Sequence, residues 1–207
     1  MSFYGEHILP HVINMAMRNR ELGPYRERTI GRAYGRVLEI GIGSGLNLGL
    51  YTPRAAEIVG LEPSGRLVSM AQRAAAGRCA RPVTFITGSA ESIPVDAQSV
   101  DTVVTTWTLC SIADAPRALL EMRRVLKPGG QLLFVEHGLA PQESVRKWQN
   151  RLTPVWKRIG GGCHLNRPIQ ALVQGAGFAI EEMHTGYMKG PRPMTFMYEG
   201  RARPEGA

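Results

Sequence analysis

Long apolar runs are missing from this 207-residue chain. Nothing approaches the ~18 consecutive apolar residues of a membrane-spanning helix, so no span is expected. Cysteine is scarce: Cys79, Cys110 and Cys163 are odd in number and form no Cys-x-x-Cys pair. That excludes a disulfide framework and points to reduced thiols. Internal repeats and linkers are absent, so the length fits a single domain able to bury a sizeable core. The first residues, from Met1 to His7, lack the basic-then-apolar layout of a secretory signal, which makes a cytoplasmic location the expectation. Lysine is sparse among the 25 basic residues, and the arginines spread from Arg18 to Arg203 without a dense tract or interleaved aromatics. The net charge of +8 therefore reads as composition bias and argues against a nucleic-acid partner. Peripheral contact with an anionic membrane stays open, and the sequence carries no signal for an oligomeric state.

Glycine is concentrated at one place, from Gly35 to Leu48. Val37 to Ile40 reads as a short buried parallel strand, apolar except for Glu39. Gly41, Gly43 and Gly45 then form a loop that lets the backbone approach a ligand and adopt conformations a β-carbon forbids. From Leu46 the apolar periodicity predicts a helix, so that loop N–H groups and the helix start face one crevice. A glycine-rich turn after a first strand is the nucleotide-cofactor site of a doubly wound α/β fold. The dinucleotide fingerprint requires a small residue at position 46, where this chain has Leu. The pattern Glu39-x-Gly41-x-Gly43-x-Gly45 instead resembles motif I of the class I S-adenosylmethionine methyltransferases. That resemblance implies a single-domain Rossmann-like fold, with a mostly parallel sheet and an antiparallel final strand.

Phe3 to Met17 reads as an amphipathic helix in which Pro10 bends the chain or marks the true start, with Tyr4, His7 and His11 on one face. It packs on the body or closes over the site as a lid, which makes Tyr4 a candidate substrate contact. A second helix, roughly 23–34, leads into the first strand. The strand Glu57 to Leu61 ends at Glu62, 19 residues after Gly43. That is close to the spacing at which an acid grips ribose hydroxyls, and two acceptor oxygens match a vicinal diol. Helix Leu67 to Ala76, strand Val83 to Thr87, strand Ser99 to Thr106, helix Ala115 to Leu126 and strand Gln131 to Val135 follow, with Lys127 to Gly130 as a helix stop and turn. Gly88-Ser-Ala-Glu-Ser-Ile-Pro94 resembles the family's adenine-holding segment, with Ser89 where an aspartate is common, so Ala90 or Glu91 can carry the contact instead. Asn47, Pro63 and Thr106 flank these motifs and complete the candidate cofactor set.

The last third departs from the general pattern. Trp148 to Ile159 suggests a helix interrupted by Pro154, followed by the flexible loop Gly160 to Arg167, a helix opened by Pro168, and closing strands at Phe178 to Met183 and Thr195 to Tyr198. Leu109-Cys110-Ser111, Glu136-His137, Gln149, Pro154, Trp156 and Gly162-Cys163-x-Leu165-x-Arg167 together resemble the microsomal alkyl thiol methyltransferases of the methyltransferase-like family. The likeness runs from about Glu39 to Arg167. This sequence departs from that family in two places: its membrane-anchoring N-terminal segment is absent, implying a soluble or peripheral enzyme, and His164 replaces a polar amide. The implied layout is a helical cap at 1–34 and a methyltransferase domain at 35–207, with a substrate-side insertion at about 138–168.

The resemblance implies methyl transfer from S-adenosylmethionine, leaving S-adenosylhomocysteine, to a small apolar acceptor, most simply a thiol. The alternative acceptors are a phospholipid headgroup or a quinone precursor, methylated on nitrogen or carbon. A module that binds cofactor or nucleic acid without catalysis is the reading from another class. A thiol must lose its proton to become a nucleophile, so a base or a nearby cation is needed. His137 and His164 are the candidate bases, and Arg167 a candidate cation. Cys110, Cys163 and Arg167 are candidate acceptor contacts. Cys163 beside His164 fits no zinc spacing and offers too few ligands, so no metal is expected.

Overall fold

The computed structural model describes residues 7–206. A seven-stranded sheet has the order β3-β2-β1-β4-β5-β7-β6, with β1 Gly35–Ile40, β2 Ala55–Glu62, β3 Val83–Thr87, β4 Val100–Thr106, β5 Leu126–His137, β6 Phe178–Tyr187 and β7 Phe196–Pro204. β1 to β5 pair in parallel, and β7 runs antiparallel to both of its neighbours. Successive strand residues face opposite sides. Leu38 and Ile40 join Val103, Leu132 and Phe134 in one core layer, while Val37, Val104 and Leu133 join the other. Helices cover both faces, as parallel strands require.

The first layer receives α4 (Ala115–Val125), whose buried Ala115, Ala118, Leu119, Met122 and Val125 recur at helical spacing. Asp114 caps that helix by accepting the Arg117 N–H at 3.0 Å, and Pro116 lies in the first turn, where its missing donor costs nothing. The second layer receives α2 (Gly23–Ile30) and α3 (Gly65–Arg78) through Ile30, Ala74 and Ala75. α1 (Leu9–Ala16) begins with Pro10 in its first turn. No helix among the described residues is long and apolar enough to cross a membrane.

The structure corrects three expectations. No α-helix follows the glycine loop: only a 3-10 turn at Leu48–Leu50 separates it from β2. Gly49 and Pro53 disfavour a helix in that short connection. Lys127 to Gly130 is not a turn outside the sheet. Leu126 already pairs with Val100, and Gln131 pairs with Thr102, so the four residues between bulge out of β5, with Gly129 at φ 74°. α5 runs unbroken from Glu143 to Ile159 through Pro154. Its face is pinned by buried Val145, Gln149 and Thr153, one turn apart. The Gln149 Nε2 lies 2.9 Å from the carbonyls of Gly138 and Leu165 and 3.1 Å from that of Pro193, while its Oε1 accepts the Ala140 N–H at 2.9 Å. This packing outweighs the one backbone bond that proline removes.

Candidate active site

One cavity of about 780 Å³ opens beyond the carboxyl ends of β1, β2, β4 and β5. At one end Gly41 sits at φ 66° and Gly43 at φ 56°, both in the region that glycine alone adopts freely. A β-carbon on Gly41 would lie 2.5 Å from the Thr108 side chain, whereas one on Gly43 would meet only the Gly41 carbonyl oxygen, at 3.8 Å. Glu62 is buried at the wall, one oxygen accepting the Gly43 N–H at 3.1 Å and the other the Ser64 N–H at 3.0 Å. Burial raises its pKa and the two N–H groups oppose that rise. Pro63, Ser89, Ala90 and Glu91 line the same end. The Ser89 hydroxyl donates to Glu91 at 2.7 Å, and the other Glu91 oxygen accepts the Asp114 N–H at 2.7 Å, which with the Ser89 contact holds this carboxylate below its ordinary range.

Two of the predicted cofactor residues stand behind the wall. Gly45 is a packing glycine: a β-carbon there would approach Leu48 to 2.8 Å and Ala71 to 3.1 Å. The close-packing role expected of position 46 thus falls one residue earlier, and Leu46 faces the cavity. Glu39 is fully buried and accepts Asn47 Nδ2 and the Tyr51 hydroxyl, each at 2.7 Å. Desolvation lifts its pKa to about 7 against those two bonds and the charge of Arg26. Asn47 in turn reaches Thr106 at 3.1 Å and accepts Arg26 Nη1 at 2.6 Å. Glu39 therefore positions Asn47, Thr106 and Arg26, and those three line the cavity. Arg26 also stacks 4.8 Å from the ring centre of Trp107, a non-glycine residue at φ 51°. Sequence reasoning missed Arg26 and Trp107; only the position of Trp107 just after a strand end offered a signal.

The other end is different. His137 closes β5 with its Nε2 3.1 Å from Cys163 Sγ, and Cys110 joins them so that the three donor atoms lie within 4.8 Å of one another. All three line the cavity. Contact with Cys163 and the charge of His137 push the Cys110 thiol well down against its burial; the same contact, with burial, pushes Cys163 up. Burial lowers the His137 pKa, but the charge and hydrogen bond of Cys110 together with the charge of Glu136 outweigh it and the net direction is up. Glu136 fixes the loop carrying Cys110, one oxygen accepting Thr105 Oγ1 at 2.8 Å, the Thr108 N–H at 3.0 Å and the Leu109 N–H at 3.1 Å. Burial, then the Cys110 charge, raise Glu136 to about 8.

His164 and Arg167 do not line the cavity. The His164 backbone N–H donates to the Cys110 carbonyl at 2.8 Å, and its Nδ1 lies 3.1 Å from the same oxygen. Arg167 donates to the carbonyls of Cys110 and Ile112. Both residues brace the Cys110 loop from behind. Tyr4 lies outside the described residues. The expectation of no metal rested on Cys163 beside His164, whereas the fold pairs Cys163 with His137 and adds Cys110 from 53 residues earlier in the chain.

The roof of the cavity is apolar. Leu9, Val12, Ile13 and Met17 come from α1 and the turn after it, and Trp156 and Ile159 from α5. Asn14 of α1 accepts the Ser44 hydroxyl at 2.7 Å, which ties this helix to the glycine loop.

A family model described as a methyltransferase domain matches residues 38–134. Human thiol S-methyltransferase TMT1B is 33% identical over 191 residues, covering 90% of this chain and 76% of that protein. Its rat counterpart is 37% identical over 146 residues, 69% of this chain and 59% of its own length, so the chain spans less than two thirds of that relative. The chain belongs to the S-adenosylmethionine-dependent methyltransferases. The solved structure of YcgJ from Bacillus subtilis shares the fold, with a TM-score of 0.67 at 19% identity over 91% of this chain and all of that one. In a methyltransferase the missing helix after the glycine loop makes chemical sense: S-adenosylmethionine carries no phosphate, so no helix N-terminus is needed to hold one.

Proposed function

We propose that this methyltransferase moves a methyl group from S-adenosylmethionine to the sulfur of a small, apolar thiol. One observation carries the reading: a single cavity joins the glycine loop and Glu62 to a cluster of two thiols and an imidazole under an apolar roof. The relatives named as thiol S-methyltransferases support it. The residues present fit the cofactor. Gly43 leaves open space for close approach, and Glu62 keeps unused lone pairs on both oxygens for the two ribose hydroxyls. Asn47 and Thr106, set by Glu39, border the same space. Ser89, Ala90 and Glu91 would take the adenine side.

Bound S-adenosylmethionine supplies a methyl group already activated on a sulfonium. The protein's share is to align the acceptor sulfur, exclude water and handle the thiol proton. The roof residues of α1 and α5 exclude water, and the Cys110–His137–Cys163 cluster faces the acceptor. In this reading α1 and the turn after it, within the 1–34 segment, act as a cap on the 35–207 domain, and the 138–168 stretch supplies the acceptor side. Two reduced thiols at the site itself fit a reducing compartment such as the cytoplasm. Incubation with labelled S-adenosylmethionine and a panel of alkyl thiols is expected to give S-methyl products. No turnover on any thiol removes the acceptor claim.

A second reading, methylation of a phospholipid headgroup or quinone precursor, draws on exposed apolar residues of α1 and α5, the two helices that also roof the cavity. Met15 is 71% exposed, Val155 61% and Trp148 55%, with Lys147, Arg151 and Arg158 nearby in sequence. It predicts salt-sensitive co-sedimentation with anionic vesicles. Failure to bind them counts against it.

A further inference from the structure

Three donor atoms from distant segments meet where the acceptor should sit. Cys110 follows β4, His137 ends β5, and Cys163 lies in the loop after α5. Their Sγ and ring nitrogen atoms fall within 4.8 Å of one another, with His137 Nε2 and Cys163 Sγ at 3.1 Å. Donors around a tetrahedral zinc ion, bonded at about 2.3 Å for sulfur and about 2.0 Å for nitrogen, sit roughly 3.5 to 3.8 Å apart. Small side-chain rotations bring the three into that arrangement.

We propose that Cys110, His137 and Cys163 hold a zinc-class divalent cation whose fourth position opens into the cavity and takes the acceptor sulfur as a thiolate. Two thiols and an imidazole form a soft donor set, suited to zinc and unsuited to magnesium or calcium. Three protein ligands with one open position is the arrangement of catalytic rather than structural zinc. All three side chains line the cavity, so the open position faces substrate. His137 Nδ1 is buried without a partner among the described residues, so the contact of Nε2 with Cys163 is what holds the ring. Glu136, the buried acid beside His137 in the chain, spends one oxygen on Thr105, Thr108 and Leu109.

The chemistry balances. Loading releases the Cys110 and Cys163 protons to solvent as the thiolates bind. An acceptor thiol then displaces bound water and loses its proton to solvent, because a metal-bound thiol is deprotonated. Its sulfur forms the new S–C bond, and the electron pair of the broken bond stays on the departing cofactor sulfur. The product is a neutral thioether, a weaker ligand than a thiolate, so water replaces it and the site resets. Only the occupant of the fourth position rests on the thiol reading above; the metal site does not.

The test separates the two. The full chain, purified without chelator, is analysed for zinc and titrated with Co²⁺, with S-adenosylhomocysteine binding as the control for folding. One equivalent of zinc and a near-ultraviolet thiolate-to-cobalt absorption are expected. Cys110→Ser, Cys163→Ser and His137→Ala should each bind Co²⁺ more than about a hundredfold more weakly, since even outer-shell partners are worth about 10–100-fold. Alkyl thiols should perturb the cobalt spectrum. Neither retained Zn²⁺ nor cobalt absorption in a chain that binds S-adenosylhomocysteine overturns the site. Undiminished thiol turnover after the metal is stripped overturns its role and leaves the thiol reading standing, with His137 as the proton acceptor. A bound metal with no thiol turnover sustains the site and removes only the assigned occupant.

Discussion

The two ends of the cavity are built by opposite means. At the cofactor end the supporting network is saturated, with Asn47 and Tyr51 on Glu39 and Arg26 bonded to Asn47, while the Gly43 and Ser64 N–H groups fix Glu62 and leave lone pairs for the ligand. At the acceptor end polarisable atoms crowd together with bonding capacity unused, at His137 Nδ1 and Glu136 Oε2. A saturated network fixes one ligand in one pose. An unsaturated cluster keeps free energy in hand for a partner that arrives later, which is what a reaction centre requires. The difference predicts that damage at one end should read out as affinity and at the other as rate.

His137→Ala should show the largest effect. Turnover of a thiol at saturating cofactor is expected to fall by about 10²–10⁴-fold, the usual worth of a group needed to bring the acceptor to its reactive ionised form. S-adenosylhomocysteine affinity measured by calorimetry should stay nearly constant. Equal losses in both would erase the distinction between the ends.

Glu62→Ala should invert the pattern. Loss of the paired acceptor costs about 1.5–3 kcal/mol, or roughly 10–100-fold in cofactor affinity, because hydrogen bonds to a charged group are the strong ones. Turnover at saturating cofactor should change little. An unchanged affinity would move the ribose contact elsewhere.

Glu39→Gln sharpens the claim that the saturated network has a cost. The folded-state pKa of Glu39 is about 7, above the ordinary 4.5. As pH rises from about 4.5 the unfolded chain ionises first while the folded chain keeps its proton, so stability falls through that window and levels off above about 7. The full change is about 3 kcal/mol by linkage. Glutamine mimics the protonated acid, so the variant's stability, measured by denaturant at several pH values, should fall less steeply between about pH 5 and 7. The same slope in both chains would mean that another group titrates there.

Trp148→Ala, at an exposed position on α5 away from both ends, should shift stability by no more than about 0.5 kcal/mol and leave both kinetic readouts alone. A large loss would show that this face is covered in the working protein.

Much of the sheet was legible because parallel strands announce themselves locally, as runs rich in apolar and β-branched residues such as Val100 to Thr106 bounded by turns. The cofactor end was legible for a related reason: its glycines and Glu62 lie in contiguous stretches tied to strand ends. Glu39 and Gly45 belonged to that motif but act behind the wall, and spacing cannot distinguish a contact from its support. The helix expected after Leu46 failed because apolar periodicity continued across a connection too short and too rich in Gly49 and Pro53 to wind. Pro154 misled in the other direction, since tertiary pinning of Gln149 is invisible along the chain. The acceptor end was the least legible. Cys163 has His164 beside it in sequence and His137 beside it in space, and only the crossing of three segments decides between them.

The place of β7 has a consequence for how the molecule comes to be made. It follows β6 in the chain yet lies between β6 and β5. When β6 leaves the ribosome it has no neighbour to join, and the β5 edge that carries His137 stands bare. A nascent chain therefore exposes an unpaired strand edge until residues 196–204 appear, when one segment closes both gaps at once. Chaperone demand during synthesis should peak over that interval.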